Sequence, residues 1–135
     1  MLLCHPPSKK AYQILIVDDT PLNILVLETF IKAENDLNII FKAYNGEQAV
    51  ELAIQNKKFD LILMDCNMPL MDGYEATKKI RSLIKEKAVD ECPILAISAY
   101  CKSGEDANWR EAGMNDFLEK PLTKKKFKEI YKKWL

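Results

Sequence analysis

The chain has 135 residues, 48% hydrophobic and 30% charged, the size and balance of one ordinary compact domain. Lys plus Arg and Asp plus Glu stand at 20 each, so no global charge draws it to nucleic acid or to a membrane surface, and neither is expected as a partner. No apolar run approaches the ~20 residues of a spanning helix, and Cys4, Cys66, Cys92 and Cys101 show neither disulfide nor zinc spacing, which predicts a reducing, cytoplasmic setting.

Residues 1–10 hold little apolar sequence before His5, Pro6 and Pro7; they read as a tail or linker, with the domain at 11–135. Tyr12 to Val17 (YQILIV) predicts the first strand and ends at Asp18-Asp19. A helix follows over Pro21 to Lys32, with Leu22, Leu25, Val26, Thr29 and Phe30 as its expected inward face. Asn38 to Ala43 predicts the second strand, and Asn45-Gly46 leads into a helix over Glu47 to Gln55. Phe59 to Met64 (FDLILM) predicts the third strand, ending on Asp65. Gly73 to Lys85 is helical, with Tyr74, Thr77, Ile80, Arg81 and Ile84 spaced by three and four. Pro93 to Ile97 is the fourth strand, running to Ser98, and Glu105 to Glu111 a short helix closed by Gly113. Asp116 to Leu118 is a brief fifth strand, and Thr123 caps a last helix running to Trp134.

Continuous apolar strands alternating with helices predict an α/β fold: a parallel (βα)₅ sheet, doubly wound, covered on both faces and joined by right-handed crossovers. In such sheets ligands bind beyond the carboxyl ends of the strands, where strand order reverses. The order 2-1-3-4-5 is taken from other doubly wound proteins. It brings Asp18, Asp19 and Asp65 to one spot. Three neighbouring carboxylates need a neutralising partner, and Mg²⁺, a hard cation that accepts carboxylates, waters and phosphate oxygens, is the natural one. Mn²⁺ is carried as a substitute. Lys120 supplies a second positive charge and Ser98 a hydroxyl for a bound phosphate oxygen. The bland alternative is that Asp19 or Thr20 merely caps the helix beginning at Pro21. Five such residues at the correct strand ends favour the functional reading.

These residues resemble the receiver domain of two-component response regulators and hybrid sensor kinases. The likeness rests on ILIVDDTPLN (Ile14 to Asn23), LILMDCNMPLMDGYE (Leu61 to Glu75), ILAISAY (Ile94 to Tyr100) and AGMNDFLEKPL (Ala112 to Leu122). Asn23 and Ala112-Gly113-Met114 look like the hybrid-kinase branch, whereas Thr20 and Phe117 depart from it in standing where Asn and Tyr are common. The resemblance implies that Asp65 accepts a phosphoryl group. It also implies that Asp19 and Asp65 ligate Mg²⁺ directly, Asp18 acts mainly through water, and the Asn67 backbone carbonyl completes the set. Ser98 becomes the switching hydroxyl, Lys120 the phosphate's counter-charge, Phe117 the aromatic whose rotamer follows phosphorylation, and Lys120-Pro121 the family's cis peptide. The donor would be a phosphohistidine on a histidine kinase or histidine phosphotransfer domain. A downstream protein would bind the surface of the fourth helix, fifth strand and last helix. Such a chain is a switch, catalysing only its own phosphorylation and dephosphorylation, and is cytoplasmic or on the cytoplasmic side of a membrane-attached kinase.

Rival chemistries fit less well. A haloacid-dehalogenase-like phosphatase needs a second Asp where Asn67 stands, and a flavodoxin-like carrier needs a hydroxyl-rich loop where Asp18 and Asp19 stand. A receiver that binds partners without phosphorylation stays an alternative. No Walker or dinucleotide fingerprint is present. Lys124, Lys125, Lys126, Lys128, Lys132 and Lys133 read as a solvated helix face, with Phe127, Ile130, Tyr131 and Trp134 turned inward.

Overall fold

Aliphatic and β-branched residues fill the three central strands so completely that only a sheet covered on both faces can hold them. The computed structural model describes residues 10–99 and 108–135. Its elements run β1 (Gln13–Val17), α1 (Pro21–Glu34), β2 (Ile39–Ala43), α2 (Gly46–Asn56), β3 (Leu61–Asp65), α3 (Gly73–Lys85), β4 (Ile94–Ser98), α4 (Asn108–Ala112), β5 (Asp116–Glu119) and α5 (Lys124–Trp134). All pairings are parallel, in the expected order β2-β1-β3-β4-β5. Order reverses between β1 and β3, whose register pairs Val17 with Met64. Expectations for Cys4, His5, Tyr100, Cys101, Gly104 and the helix start at Glu105 fall outside the described residues.

Alternation along each strand sends side chains to two separate cores. Leu15, Val17, Ile62, Met64, Ile94 and Ala96 pack toward α2, α3 and α4 with Ala49, Ile80 and Trp109. Ile14, Ile16, Leu61, Leu63, Leu95 and Ile97 pack toward α1 and α5 with Leu27, Ile31 and Phe127. Each large aliphatic buried this way contributes roughly 1.5–3 kcal/mol before entropy is counted. Cys66 and Cys92 are buried inside this packing, and burial pushes the Cys92 thiol up to about 12, so it behaves as a small hydrophobe.

One expected face is wrong. The buried side of α1 is Ile24, Leu27 and Ile31, while Leu22 and Leu25 stand 66% and 56% exposed. Apolar residues lie on nearly every side of this helix, so spacings of three and four select no unique stripe. The α5 face is as expected: Phe127 and Tyr131 are buried, Ile130 and Trp134 half-buried, and its six lysines exposed.

Local chemistry fixes the element ends. Asn45, Asp72 and Thr123 accept from the N–H three residues on, capping α2, α3 and α5. Gly113 ends α4 with φ +100, a conformation that suits glycine. The Arg81 guanidinium ties three segments together. It donates to Gly113 O at 2.7 Å, Glu91 Oε1 at 3.0 Å, Cys92 O at 3.1 Å and Asn115 Oδ1 at 2.6 Å.

Candidate functional site

The carboxyl edge of the sheet gathers the residues that the sequence singled out. Asp18 follows β1, Asp65 ends β3, Ser98 ends β4, and Lys120 follows β5. Cross-strand bonds set their depth: Cys66 N–H donates to Ile97 O at 3.0 Å, and Lys120 N–H to Ser98 O at 3.0 Å. Asp18 and Asp65 are 1% and 2% exposed, whereas Asp19 faces solvent.

One oxygen from each of Asp18, Asp19 and Asp65 lies within 4.8 Å of the others. Lys120 Nζ stands 3.4 Å from Asp65 Oδ1 and 3.7 Å from Asp18 Oδ2. Asp18 Oδ1 accepts from the Thr20 N–H at 2.9 Å, which holds the turn into α1 in place of a Thr20 side-chain cap. Its Oδ2 is buried with no hydrogen-bond partner. Burial pushes the Asp65 carboxyl up and the Asp18 charge adds to it, while Lys120 and the Asn67 N–H pull it back, leaving it at about 6 against an ordinary 3.8.

Too much negative charge for one lysine, an orphaned buried carboxylate oxygen and an all-oxygen donor set together fit a hard divalent cation. The segment from Asp65 to Gly73 shapes the site's other wall. Gly73 N–H donates to Cys66 O at 3.2 Å, and a Cβ on Gly73 would overlap the Asp65 carbonyl oxygen. Leu70 in this loop has φ 68 and is 98% exposed.

Ser98 and Phe117 occupy neighbouring strands. The Ser98 hydroxyl oxygen accepts from Asn67 Nδ2 at 3.3 Å, a contact that the reading of Asn67 as a backbone ligand missed. An amide two residues after Asp65 was the available signal. Phe117 is half-buried, its ring 5.4 Å from that of Trp109. The Lys120–Pro121 peptide is cis.

The family model for the response regulator receiver domain matches residues 14–132. The chain belongs to that family. Among relatives of this receiver, the sensor protein GacS of Pseudomonas syringae pv. syringae is 36% identical over 129 residues, 96% of this chain but 14% of that protein. The receiver thus spans a small part of such kinases. The receiver domain of sensor histidine kinase PA1611 from Pseudomonas aeruginosa PAO1, described with magnesium in its active site cleft, superimposes with TM-score 0.77 at 35% identity, covering 93% of this chain and 98% of that one. A Saccharomyces cerevisiae co-crystal of the phosphotransfer protein Ypd1 with the Ssk1 receiver domain gives TM-score 0.81 at 26% identity, covering 92% and 88%. Receiver of a two-component system, with the fold that neighbours share, is therefore this chain's place. Among the described residues no helix is long and apolar enough to cross a membrane.

Proposed function

We propose that this receiver accepts a phosphoryl group on Asp65 from a phosphohistidine of a histidine kinase or histidine phosphotransfer domain. The observation that carries the reading is the buried Asp65 carboxylate, faced by Asp18 and held 3.4 Å from Lys120 Nζ. An Asp65 oxygen forms the new O–P bond as the P–N bond breaks, its electron pair staying on the imidazole nitrogen. Such transfer needs positioning and charge neutralisation more than covalent chemistry from the protein. Lys120 supplies one positive charge for the phosphoryl oxygens.

Asp18, Asp19, Asp65 and the Asn67 backbone carbonyl would hold Mg²⁺, or Mn²⁺ in its place. When bound, the ion supplies charge neutralisation at the phosphoryl oxygens. The magnesium-bearing PA1611 receiver supports that assignment by likeness, and the Ypd1 complex supports a phosphotransfer protein as donor.

The output runs through Ser98 and Phe117. A phosphoryl oxygen on Asp65 draws the Ser98 hydroxyl inward, and Phe117 turns toward the space left beneath β4. Phe117 lines a groove of about 360 Å³ between β5 and α5, with Leu118, Lys126 and Ile130, so its rotamer alters a surface that a downstream protein can read. The domain acts as a switch on the cytoplasmic side, its chemistry limited to gaining and losing its own phosphoryl group.

Intact mass after acetyl phosphate and Mg²⁺ tests the reading. One added phosphoryl group is expected on the wild-type receiver and none on Asp65→Asn. Equal labelling of that variant, or labelling that survives a chelator, overturns it.

A further inference from the structure

Asn67 touches two groups with two different parts of itself. Its backbone N–H donates to Asp65 Oδ1 at 3.3 Å, and its side-chain amide donates to Ser98 Oγ at 3.3 Å. Ser98 is 1% exposed at the end of β4, while Asn67 stands at the solvent edge of the loop. A single exposed residue therefore spans the gap between the phosphoacceptor and the hydroxyl that answers it.

We propose that the Asn67 side-chain amide is a latch that holds the Ser98 hydroxyl in its resting position until Asp65 is phosphorylated. The inference rests on the reading of Ser98 as the switch. At 3.3 Å the bond lies beyond the usual N–H···O range, and both partners are neutral, so it is weak. A hydroxyl donating to a phosphoryl oxygen makes a charge-assisted bond about twice as strong as a neutral one. The hydroxyl accepts from Asn67 and donates to the phosphoryl oxygen, so it is the inward turn of Oγ that parts it from the amide, and Ser98 gains the stronger bond as it leaves the weaker. The released amide, at the exposed edge, is taken up by water or by a phosphoryl oxygen, so its release leaves no buried donor orphaned. The residue type fits the task. An Asp here would add a fourth carboxylate to a site already in negative excess, and an aliphatic side chain would hold nothing.

Asn67 is in this sense a positioning residue: it sets how far the resting switch lies from the active arrangement. A neutral hydrogen bond biases such an equilibrium by about two- to tenfold.

Amide NMR of the whole domain, without phosphate and then with beryllofluoride plus Mg²⁺, tests the latch. In Asn67→Ala, resting shifts on β5 and α5 should move part-way toward their beryllofluoride positions, matching a two- to tenfold gain in the switched population. Asn67→Leu, which keeps the bulk without the donor, should move them the same way. In a Ser98→Ala background Asn67→Ala should move nothing, because the amide then has no hydroxyl to hold. Resting shifts that stay in place or move away from the active positions overturn the latch. So does equal movement in both backgrounds, which would mark a general loop effect. If Ser98→Ala alone keeps the full beryllofluoride response, the Ser98 reading itself fails, a result distinct from failure of the latch.

Discussion

Lys120 reaches across the end of β4 to Asp65, with Nζ 3.4 Å from Oδ1, and it is the cation that lowers the Asp65 carboxyl. Lys120→Ala should therefore raise the Asp65 pKa above the value of about 6 that it holds with the lysine present. Loss of one preorganised positive group should also slow labelling by acetyl phosphate on the order of a hundredfold. Carboxyl-detected NMR titration reads the first effect and timed intact mass the second. An unmoved titration and an unchanged rate would show that Lys120 serves only the fold.

The same carboxyl gives the metal-free domain a pH dependence of definite sign. Folding raises Asp65 from 3.8 to about 6, so the stability linked to this group is full below the lower value and lost as pH rises through the upper one. Mg²⁺ neutralises the excess charge that causes the loss. It should raise Tm more at about pH 7.5 than at about pH 5, and Asp65→Asn should shrink that difference. Thermal unfolding with and without Mg²⁺ at the two pH values is the check.

Asp18 and Asp19 differ in burial, and their roles in metal binding should differ as well. Asp19→Ala removes the proposed direct ligand and should weaken Mg²⁺ binding more than Asp18→Ala, which on the same proposal leaves the ion its water. An NMR-monitored Mg²⁺ titration of both variants decides it, and equal affinities reject this division.

Gly73 starts α3 where the chain presses on the end of β3. Gly73→Ala places a methyl against the Asp65 carbonyl oxygen and should cost about 1–3 kcal/mol in urea unfolding. It should also disturb Mg²⁺ binding, since the obstructed peptide carries Asp65 itself. A variant with wild-type stability would mean that the loop yields easily.

Leu70 combines φ 68 with 98% exposure, so it pays for a left-handed backbone and buries nothing in return. Leu70→Gly should raise stability by about 0.5–1 kcal/mol, the relief of backbone strain less the added freedom of the unfolded chain. A fall in the urea midpoint would reveal a contact made by Leu70 that its exposure conceals.

Much of this was legible in the sequence, for reasons tied to particular residues. LILMD and ILAIS are apolar up to their last residue, so the sheet, the helices on both faces and the placing of Asp65 and Ser98 at the carboxyl edge follow together. The cap at Thr123 was visible because its side chain needs only a partner three residues away. The face of α1 was not visible, since Leu22, Leu25 and Val26 compete with Ile24, Leu27 and Ile31 and only tertiary packing breaks the tie. Nor was the Asn67 to Ser98 contact, which joins residues 31 apart, one in the loop after β3 and the other at the end of β4.

Arg81 gives the corner beside α4 a single hinge pin. One guanidinium engages the lead-in to β4 at Glu91 and Cys92 and the α4–β5 turn at Gly113 and Asn115. Asn115 in turn exchanges bonds with Ile94, its N–H donating to Ile94 O and its side-chain oxygen accepting from Ile94 N–H, both at 2.8 Å. The amino-terminal ends of β4 and β5 are thereby locked to α3, at the opposite end of β4 from Ser98. Any rearrangement at Asp65 is then expected to swing about this fixed end like a door about its post, growing toward the carboxyl edge and dying out toward Arg81.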